Sequence, residues 1–318
     1  MAILRGDARL LFDEAARRPL HGSLLQLGRM DVFLDEAEVR RLAQLHGVAL
    51  APGVDVRLSP NPRIRRQGCI DDRSFFRLLG VDGVSSLDVN DYEGAEFLHD
   101  LNQPIPPELE GRFDLVHEGG TLHHVFDVPQ VLDNIYRLLK PGGRIVHGIV
   151  PANNHLDLGF YQFSPTLFAD FYSANHWSIE RLVFFEYVSW WVAGRLETGP
   201  WKIYDYEPDA LAGVSYGRAG NRQIGLFVVA TKTDESTGDI VPQQNYYQRA
   251  WRQSDTTTAD DVTLHELEAA ASDLGSAAPH PEEAPPRLPI PLLRLWKRAA
   301  EPLRRRLPGR LPKPIAIY

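Results

Sequence analysis

The feature that most constrains the fold of this chain is an alternation of short apolar runs with helical segments along most of its first 231 residues. The apolar runs predict strands at 24–27, 84–88, 95–100, 113–118, 144–150, 178–187 and 222–231. Helices are predicted at 7–18, 35–46, 71–80, 128–139 and 165–174, and a long loop at 50–70. Strands that alternate with helices predict an α/β fold, in which a doubly wound, mostly parallel sheet is covered by helices on both faces.

The residues at the carboxyl ends of the predicted strands are the first candidates for a binding site, because ligands of such sheets bind there. Asp88 ends one strand, where an acidic side chain can accept hydrogen bonds from ribose hydroxyls. Asp100 ends the next, where its carboxylate can accept from an adenine amino group. An Asp in a turn also accepts from its own backbone two residues on, so a purely structural interpretation of each remains open.

Three blocks of sequence follow one another within this pattern: SLDVNDYEGAEFLHDLNQPIP, GRFDLVHEGGTLHHVFD and NNHLDLGFYQFSPTLFADFY. The second block leads through a helix into LLKPGGRIV. Over about residues 20–250, the chain resembles class I S-adenosylmethionine-dependent methyltransferases, and most of all a bacterial subgroup associated with sugar and surface-polysaccharide genes. The resemblance implies a Rossmann-like methyltransferase fold, S-adenosylmethionine as the cofactor, and a transferase of class EC 2.1.1.

The same resemblance implies which residues contact the cofactor: Gly28, Asp88, Asp100, Glu118, Gly119 and Gly120. Asp88 would face the ribose and Asp100 the adenine, and residues 118–120 would form the floor below the methionine part.

The chain departs from the family pattern in its first turn, LQLGRMD, which holds only Gly28. The cation Arg29 follows, in a place near the sulfonium of the cofactor. An insertion at about 35–72 separates this turn from the next strand, and only twelve positions separate Asp88 from Asp100. Two alternatives to a methyltransferase therefore stay open. One is a degenerate methyltransferase fold that serves as a non-catalytic binding or scaffold module, and the other is a His- or metal-dependent lyase or hydrolase that uses the same pocket.

Six of the 11 histidines lie near predicted strand ends. His123, His124 and His155 are the candidates for a catalytic base, because methyl transfer to a hydroxyl requires removal of its proton and imidazole titrates near neutral pH. The other three are expected to pack within the core: His99, His117 and His147. No spacing such as H-E-x-x-H occurs, so no metal site is predicted.

Aromatic residues after the predicted strands are candidates for binding an acceptor. Tyr161 and Phe163 lie in GFYQFSPTLF, and Trp190 and Trp191 lie in SWWVAGRLETGP. These side chains suit stacking against a sugar or another ring, while a lid packed on the core or a dimer interface is the alternative interpretation. The predicted reaction is methyl transfer to a hydroxyl or amine of a small-molecule, sugar or polysaccharide acceptor.

Charge divides the chain into regions. The net charge of −8 argues against non-specific nucleic-acid binding, and a single cysteine, Cys69, excludes an internal disulfide. Residues 253–286 contain eight acids and no Lys or Arg, which predicts a flexible, disordered acidic linker. Residues 287–318 contain nine Lys or Arg among Leu, Ile and Trp, which predicts a basic amphipathic tail suited to peripheral membrane contact. An N-terminal helix at 1–19 and a methyltransferase-like domain at 20–252 precede them.

The expected location is the cytoplasm. No apolar run is long enough for a membrane-spanning helix, and the N-terminal residues do not resemble a signal peptide because charges interrupt their apolar positions.

Overall fold

A computed structural model describes residues 2–192, 195–198, 200–207, 222–248, 251 and 314–317. The chain divides into two compact units: Met1–Tyr206 with Arg222–Pro242 and Pro314–Tyr318, and Glu207–Asn221 with Gln243–Lys313. The second unit is described only at residues 207, 243–248 and 251. The predicted acidic linker and all of the predicted basic tail except residues 314–317 lie outside the described residues.

The elements of the first unit follow the predicted alternation. The strands are β1 (Ala2–Ile3), β2 (Ser23–Leu27), β3 (Asp31–Val32), β4 (Gly83–Asp88), β5 (Phe97–Leu98), β6 (Phe113–Glu118), β7 (Leu139–Asn153), β8 (Ser178–Tyr187), β9 (Ser189–Val192), β10 (Arg195–Thr198), β11 (Lys202–Asp205), β12 (Gln223–Thr231) and β13 (Ala316–Ile317). The helices are α1 (Arg5–Arg17), α2 (Glu36–His46), α3 (Pro62–Arg65), α4 (Asp72–Leu78), α5 (Val128–Leu138) and α6 (Pro165–Ala174), with 3-10 turns at Pro107–Leu109 and Leu122–His124. Within the described ranges, no helix combines the length and the apolar character needed to cross a membrane.

Nine strands form one sheet in the order β13-β11-β8-β12-β7-β6-β2-β4-β5. Neighbouring strands pair in parallel from β7 through β6, β2 and β4 to β5. The ladders from β7 through β12, β8 and β11 to β13 are antiparallel. Among the described strands of this sheet, β11 and β12 therefore run against the direction of the other seven. This arrangement confirms the predicted α/β fold, with a mixed sheet in which four ladders are parallel and four are antiparallel.

The order of the strands reverses at β2. The next two strands of the sheet along the chain, β4 and β5, lie on one side of β2, and β6 and β7 lie on the other. In open α/β sheets, the crevice for a ligand forms at the carboxyl ends of the strands where the order reverses. The loops after β2, β4 and β6 therefore define the candidate site.

Helix caps fix the elements around this crevice. In α2, the backbone N–H of Glu38 donates to Asp35 Oδ1 over 2.8 Å and the N–H of Asp35 donates to Glu38 Oε2 over 3.1 Å, which forms a capping box. α4 begins in a similar way, because the N–H of Ser74 donates to Asp71 Oδ1 over 2.7 Å. This cap positions Asp72, the first residue of α4, for its part in the site.

The core joins the helices of one face to the sheet. Its largest cluster includes Leu11, Val39 and Phe75 from helices and Leu24, Leu115 and Phe227 from strands.

The segment predicted as a long loop, 50–70, contains α3 and packs on the domain. Cys69 forms an isolated bridge with Asp35, and Ile70 forms another with Leu58. Cys69 and Ile70 are each 1% exposed. The insertion is therefore an ordered part of the fold, and α3 is held where it can form a wall of the site.

The strand predicted at 95–100 is shorter than expected. Only Phe97 and Leu98 pair with β4, because the carboxylate of Glu96 accepts from the N–H and hydroxyl of Ser86 over 2.8 and 2.9 Å. The backbone N–H of Ser86 in β4 therefore donates to this carboxylate and is not available to pair with a longer β5.

Candidate functional site

A cavity of about 770 Å³ opens at the carboxyl end of β2. Its walls come from the turn after β2, the start of α3 and the loop after β4. The lining includes Arg29, Met30, Asp31, Asn61, Arg63 and Glu93. The volume falls in the range of roughly 300–1,000 Å³ that is typical of small-molecule sites. The insertion that interrupts the family pattern thus builds part of the candidate site.

The turn after β2 depends on one glycine. Gly28 has a φ of 73°, a left-handed conformation that side chains disfavour. Its N–H donates to the carbonyl of Leu87 over 2.8 Å, which ties the turn to the end of β4. This backbone path places the next residue, Arg29, at the wall of the cavity.

Arg29 is held in place by an ion pair that the sequence did not reveal. Its Nη2 and Nε donate to the carboxylate of Asp72 over 2.5 and 3.1 Å, and its Nη1 donates to the carbonyl of Glu93 over 3.2 Å. Asp72 is 1% exposed and also accepts from Gln26 Nε2 over 2.9 Å. Burial on its own lowers the pKa of Arg29, but the hydrogen bonds and charge of Asp72 outweigh burial and raise it. The positive charge beside the cavity is therefore balanced within the protein.

Asp88 lies at the end of β4, next to the charged wall of the cavity. Its Oδ1 accepts from the N–H of Val89 over 2.7 Å. Burial raises the pKa of Glu93, the charges of Asp31 and Asp88 raise it further, and Arg29 opposes them. The structure thus brings Gly28 close to the end of β4 and places both strand ends beside Arg29 and Glu93 of the cavity wall, although neither Gly28 nor Asp88 itself lines the cavity.

Asp100 occupies a local turn. Its Oδ1 accepts from the backbone N–H and the side-chain amide of Asn102 over 2.9 and 2.8 Å, and these bonds lower the pKa of Asp100. The carbonyl of the Asn102 side chain in turn accepts from the N–H groups of Phe126 and Asp127. Within the described ranges, no hydrogen bond joins Asp100 to the residues that line the cavity.

Glu118 is fully buried and holds the loop that follows β6. Its Oε1 accepts from the backbone N–H groups of Gly120, Thr121 and Leu122 over 2.7, 2.5 and 3.0 Å. Its Oε2 lies 3.0 Å from Nδ1 of His147, whose Nε2 lies 2.7 Å from the hydroxyl of Tyr172. Burial raises the pKa of Glu118, but the contact with His147 and the backbone donors reverse the effect and bring the pKa to about 2. Glu118 is therefore a carboxylate that shapes the loop.

The two glycines after Glu118 permit close packing. A Cβ at Gly119 would lie 2.7 Å from the sulfur of Met30, which lines the cavity. Gly120 has a φ of 105°, in the left-handed region that favours glycine. Gly119 therefore lies directly behind the wall that Met30 presents, and Gly120 packs beside His123.

The three histidines predicted as candidate bases lie in different surroundings. His123 is 5% exposed, and burial lowers the pKa of its imidazole to about 4, with His124 adding to the effect. His124 is exposed, and its ring centroid lies 4.1 Å from that of His123. His155 is buried, with Nε2 at 3.2 Å from the carbonyl of Ile224. The part of the chain that the structure describes holds no group of three or more His, Cys, Asp or Glu side chains placed to bind a metal ion.

The aromatic residues predicted to bind an acceptor also differ in their exposure and packing. Tyr161 is partly exposed and donates to the carbonyl of Phe126 over 2.8 Å. Phe163 is 6% exposed and packs against Phe168 with ring centroids 6.1 Å apart. Trp190 and Trp191 lie in β9, which pairs with β10 outside the nine-stranded sheet, and their side chains lie outside what the structure describes.

Sequence reasoning missed three residues of this region. Phe126 and Phe160 are 68% and 65% exposed, and their rings meet edge to face at 5.7 Å beside Tyr161. The third is Asp72, which a feature of the sequence could have indicated. Two consecutive acids open the predicted helix at 71–80, and a cap needs only one of them.

Comparison with known proteins gives one match to a family. Residues 84–145 match a family model described as a methyltransferase domain. The matched segment runs from β4 into β7 and contains Asp88, Asp100 and residues 118–120. No curated protein matches the chain.

Several solved structures are similar to the chain at low identity. A 1,6-didemethyltoxoflavin-N1-methyltransferase from Burkholderia thailandensis, solved with S-adenosylhomocysteine, is 17% identical over 72% of this chain and 78% of that one, with a TM-score of 0.32. TehB from Haemophilus influenzae is 14% identical over 72% and 63% of the two chains, with a TM-score of 0.36. YcgJ from Bacillus subtilis is 12% identical over 72% and 99%, with a TM-score of 0.37. At these identities and TM-scores, the similarity carries no argument about function.

Proposed function

We propose that this chain is an S-adenosylmethionine-dependent methyltransferase that binds its cofactor in the cavity at the carboxyl end of β2. The observation that carries the proposal is the family match over residues 84–145, because the matched segment includes the loop after β4, whose Tyr92 and Glu93 line this cavity. The cavity also lies where the strand order reverses, which is the general position of ligand sites in this class of sheet.

The residues present fit such a cofactor. The bound cofactor supplies an electrophilic methyl group on a sulfonium. Asp88 would accept from the ribose hydroxyls with the oxygen that Val89 leaves free, and the resemblance to methyltransferases assigns the adenine amino group to Asp100. Gly28 would let the turn after β2 approach the cofactor closely, Gly119 lies against Met30 of the cavity wall, and Glu118 holds the loop of Gly120 in shape. Asp72 balances the charge of Arg29, which offsets the repulsion expected between this cation and a sulfonium.

The proton of the acceptor is taken by a histidine that follows β6 or β7 in the chain. His123, His124 and His155 remain the candidates, and His124 is the exposed one. Burial keeps the imidazoles of His123 and His155 neutral at pH 7, since it lowers both pKa values. A neutral imidazole can accept the proton of a hydroxyl as the oxygen attacks in line.

The acceptor is a hydroxyl or amine of a sugar or another ring compound. Phe126, Phe160 and Tyr161 present aromatic faces close to the exposed His124, and such faces stack against ring compounds. Trp190 and Trp191 are the further candidates from the sequence. Methyl-labelled cofactor and a panel of sugars and phenols test this part of the proposal. Label that enters neither a hydroxyl nor an amine of any panel compound would count against it.

Calorimetric titration tests the cofactor itself. We expect the purified chain to bind S-adenosylmethionine and S-adenosylhomocysteine with micromolar Kd. Asp88→Ala should weaken both by at least about tenfold, because hydrogen bonds to a charged group contribute roughly 1.5–3 kcal/mol.

Asp91→Ala is the matched control, since it removes an exposed acid from the same loop. It should bind both ligands like the wild-type protein. If the folded wild-type chain gives no heat with either ligand at millimolar concentration, the methyltransferase proposal is wrong and a non-catalytic module becomes the better description.

A further inference from the structure

We infer that Arg29 binds the α-carboxylate of the cofactor, and that it thereby makes the cavity selective for ligands with an amino-acid end. The inference rests on the proposed function and assigns a role to the residue that stands in the reduced first turn. Arg29 belongs to the cavity wall, and its side chain is 13% exposed.

The hydrogen bonds of Arg29 leave two donors for a ligand. A guanidinium has five N–H groups, and the described contacts use three of them. Nε and Nη2 donate to Asp72, and Nη1 donates to the carbonyl of Glu93. One N–H therefore remains on each terminal nitrogen. Two such groups match the two oxygens of a carboxylate.

The position of the guanidinium is set before a ligand arrives. Asp72 is buried and fixed at the first turn of α4, and Gln26 donates to the same carboxylate. The side chain of Arg29 therefore loses little conformational freedom when it binds a second carboxylate. An exposed arginine on a flexible surface loop would lack this advantage.

The other charges of the wall favour a zwitterion. Asp31 and Glu93 line the same cavity as Arg29, and Asp31 accepts from the side-chain amide of Asn61 over 2.6 Å. Two carboxylates beside the guanidinium suit the α-ammonium that accompanies an α-carboxylate. They would repel a phosphate dianion, so an amino-acid end fits this wall better than a phosphate ester does.

The experiment compares two ligands that differ only in the carboxylate. S-Adenosylhomocysteine and its decarboxylated analogue, 5′-deoxy-5′-(3-aminopropylthio)adenosine, are titrated calorimetrically into the wild-type protein and into Arg29→Gln. We expect the wild-type protein to bind the analogue at least about tenfold more weakly. In Arg29→Gln, the two affinities should become nearly equal, because the amide cannot form the charged bonds.

Arg65→Gln is the matched control, since Arg65 is an exposed arginine of α3 that does not line the cavity. It should keep the wild-type ratio of affinities. Arg29→Lys retains a charge opposite Asp72, and it replaces Arg29→Gln if the glutamine variant fails to fold. It should lower the ratio, because a lysine does not reproduce the two-pronged contact.

Equal affinity of the wild-type protein for the two ligands would overturn the inference, and so would an unchanged ratio in the Arg29 variants. Binding of neither ligand by the wild-type protein is a different result, because it refutes the proposed function itself.

Discussion

At the scale of single residues, Asp7 is the most unusual group in the chain. It lies on α1 with no exposed surface, and neither of its carboxyl oxygens has a hydrogen-bond partner among the described residues. Burial, together with the charge of Glu118, raises the pKa of Asp7 to about 8. His117 is buried nearby, with both ring nitrogens unpartnered in the described structure, and burial lowers its pKa to about 4. At neutral pH, the core therefore holds a protonated acid beside a neutral imidazole.

The shifted pKa of Asp7 predicts a pH-dependent stability. The unfolded chain releases this proton near the ordinary pKa of 3.8, whereas the folded chain keeps it up to about 8. The folded state binds one more proton in this window, so the contribution of Asp7 to stability falls by up to about 1.4 kcal/mol per pH unit as pH rises. Asp7→Asn is neutral throughout. We expect its free energy of unfolding, relative to the wild-type protein, to increase between pH 4 and 8 in urea titrations.

Asp55→Asn is the control for this measurement, because the side chain of Asp55 is 80% exposed. Its difference from the wild-type protein should not vary in the same way. Parallel stability curves for Asp7→Asn and the wild-type protein would show that Asp7 ionises normally in the fold.

At the scale of elements, the loop after β6 depends on a single carboxylate. Glu118 accepts three consecutive backbone N–H groups and contacts His147 of β7, which in turn contacts Tyr172 of α6. Thr121 also donates to the carbonyl of Leu27 at the end of β2. The loop, two strands and one helix are therefore joined through Glu118.

Removal of this carboxylate should loosen the loop. Glu118→Ala removes the acceptor of the buried N–H groups of Gly120 and Leu122, and each such group costs roughly 1–3 kcal/mol. We expect a loss of at least about 2 kcal/mol of stability in urea unfolding and faster hydrogen exchange at residues 120–122. Glu118→Gln retains an acceptor oxygen and should keep most of the protection against hydrogen exchange at these residues. If the alanine variant exchanges at the wild-type rate, Glu118 does not hold this loop.

Local patterns in the sequence predict those elements whose first and last residues are fixed by contacts between near neighbours in the chain. The predicted strands at 113–118 and 178–187 and the predicted helix at 165–174 have the same bounds in the structure. The helix begins after Ser164, whose hydroxyl accepts from the N–H of Thr166 only two residues away. In contrast, β5 is shortened by a bond between Glu96 and Ser86, which belong to different elements. A local pattern does not contain that contact.

The same distinction applies to the site. The alternation of strands is enough to predict Asp88 and Glu118 at carboxyl ends, because each ends an apolar run. Arg29 and Asp72 are 43 positions apart, so a local pattern does not contain their ion pair. From the sequence alone, the charge of Arg29 argues against a sulfonium cofactor, whereas in the structure Asp72 balances this charge and holds Arg29 in the cavity wall. The surroundings of Phe163 also depend on tertiary contacts. Only tertiary packing decides whether its ring faces Phe168 or an acceptor, and in the structure it packs against Phe168.

At the scale of the whole molecule, the last described strand covers one edge of the sheet. The N–H of Ile315 donates to the carbonyl of Ile203 over 2.7 Å, and Ala316 and Ile317 pair with β11. An uncovered edge presents free N–H and C=O groups that pair with other chains. Residues 314–317 therefore complete the sheet and protect it.

A variant that ends at residue 313 tests this protection. We expect its Tm to fall by a few degrees, since about 1 kcal/mol corresponds to roughly 2–4 °C for a domain of this size. Sedimentation velocity should also show self-association through the open edge of β11. Ile315→Pro removes only the donor to Ile203 and should have a smaller effect in the same direction. An unchanged Tm together with unchanged sedimentation of the truncated variant would contradict this role.

The pairing of β13 with β11 also has a consequence for synthesis of the protein. More than a hundred residues separate Lys202 from Ile317 along the chain. At translation rates of about 5–20 residues per second, a ribosome needs roughly 6–20 s to produce the strand that covers β11. During this interval, the nascent chain exposes an unpaired strand edge beside a nearly complete sheet. The yield of correctly folded protein in a cell therefore depends on translation speed and on chaperones that shield this edge, in addition to the stability of the finished domain.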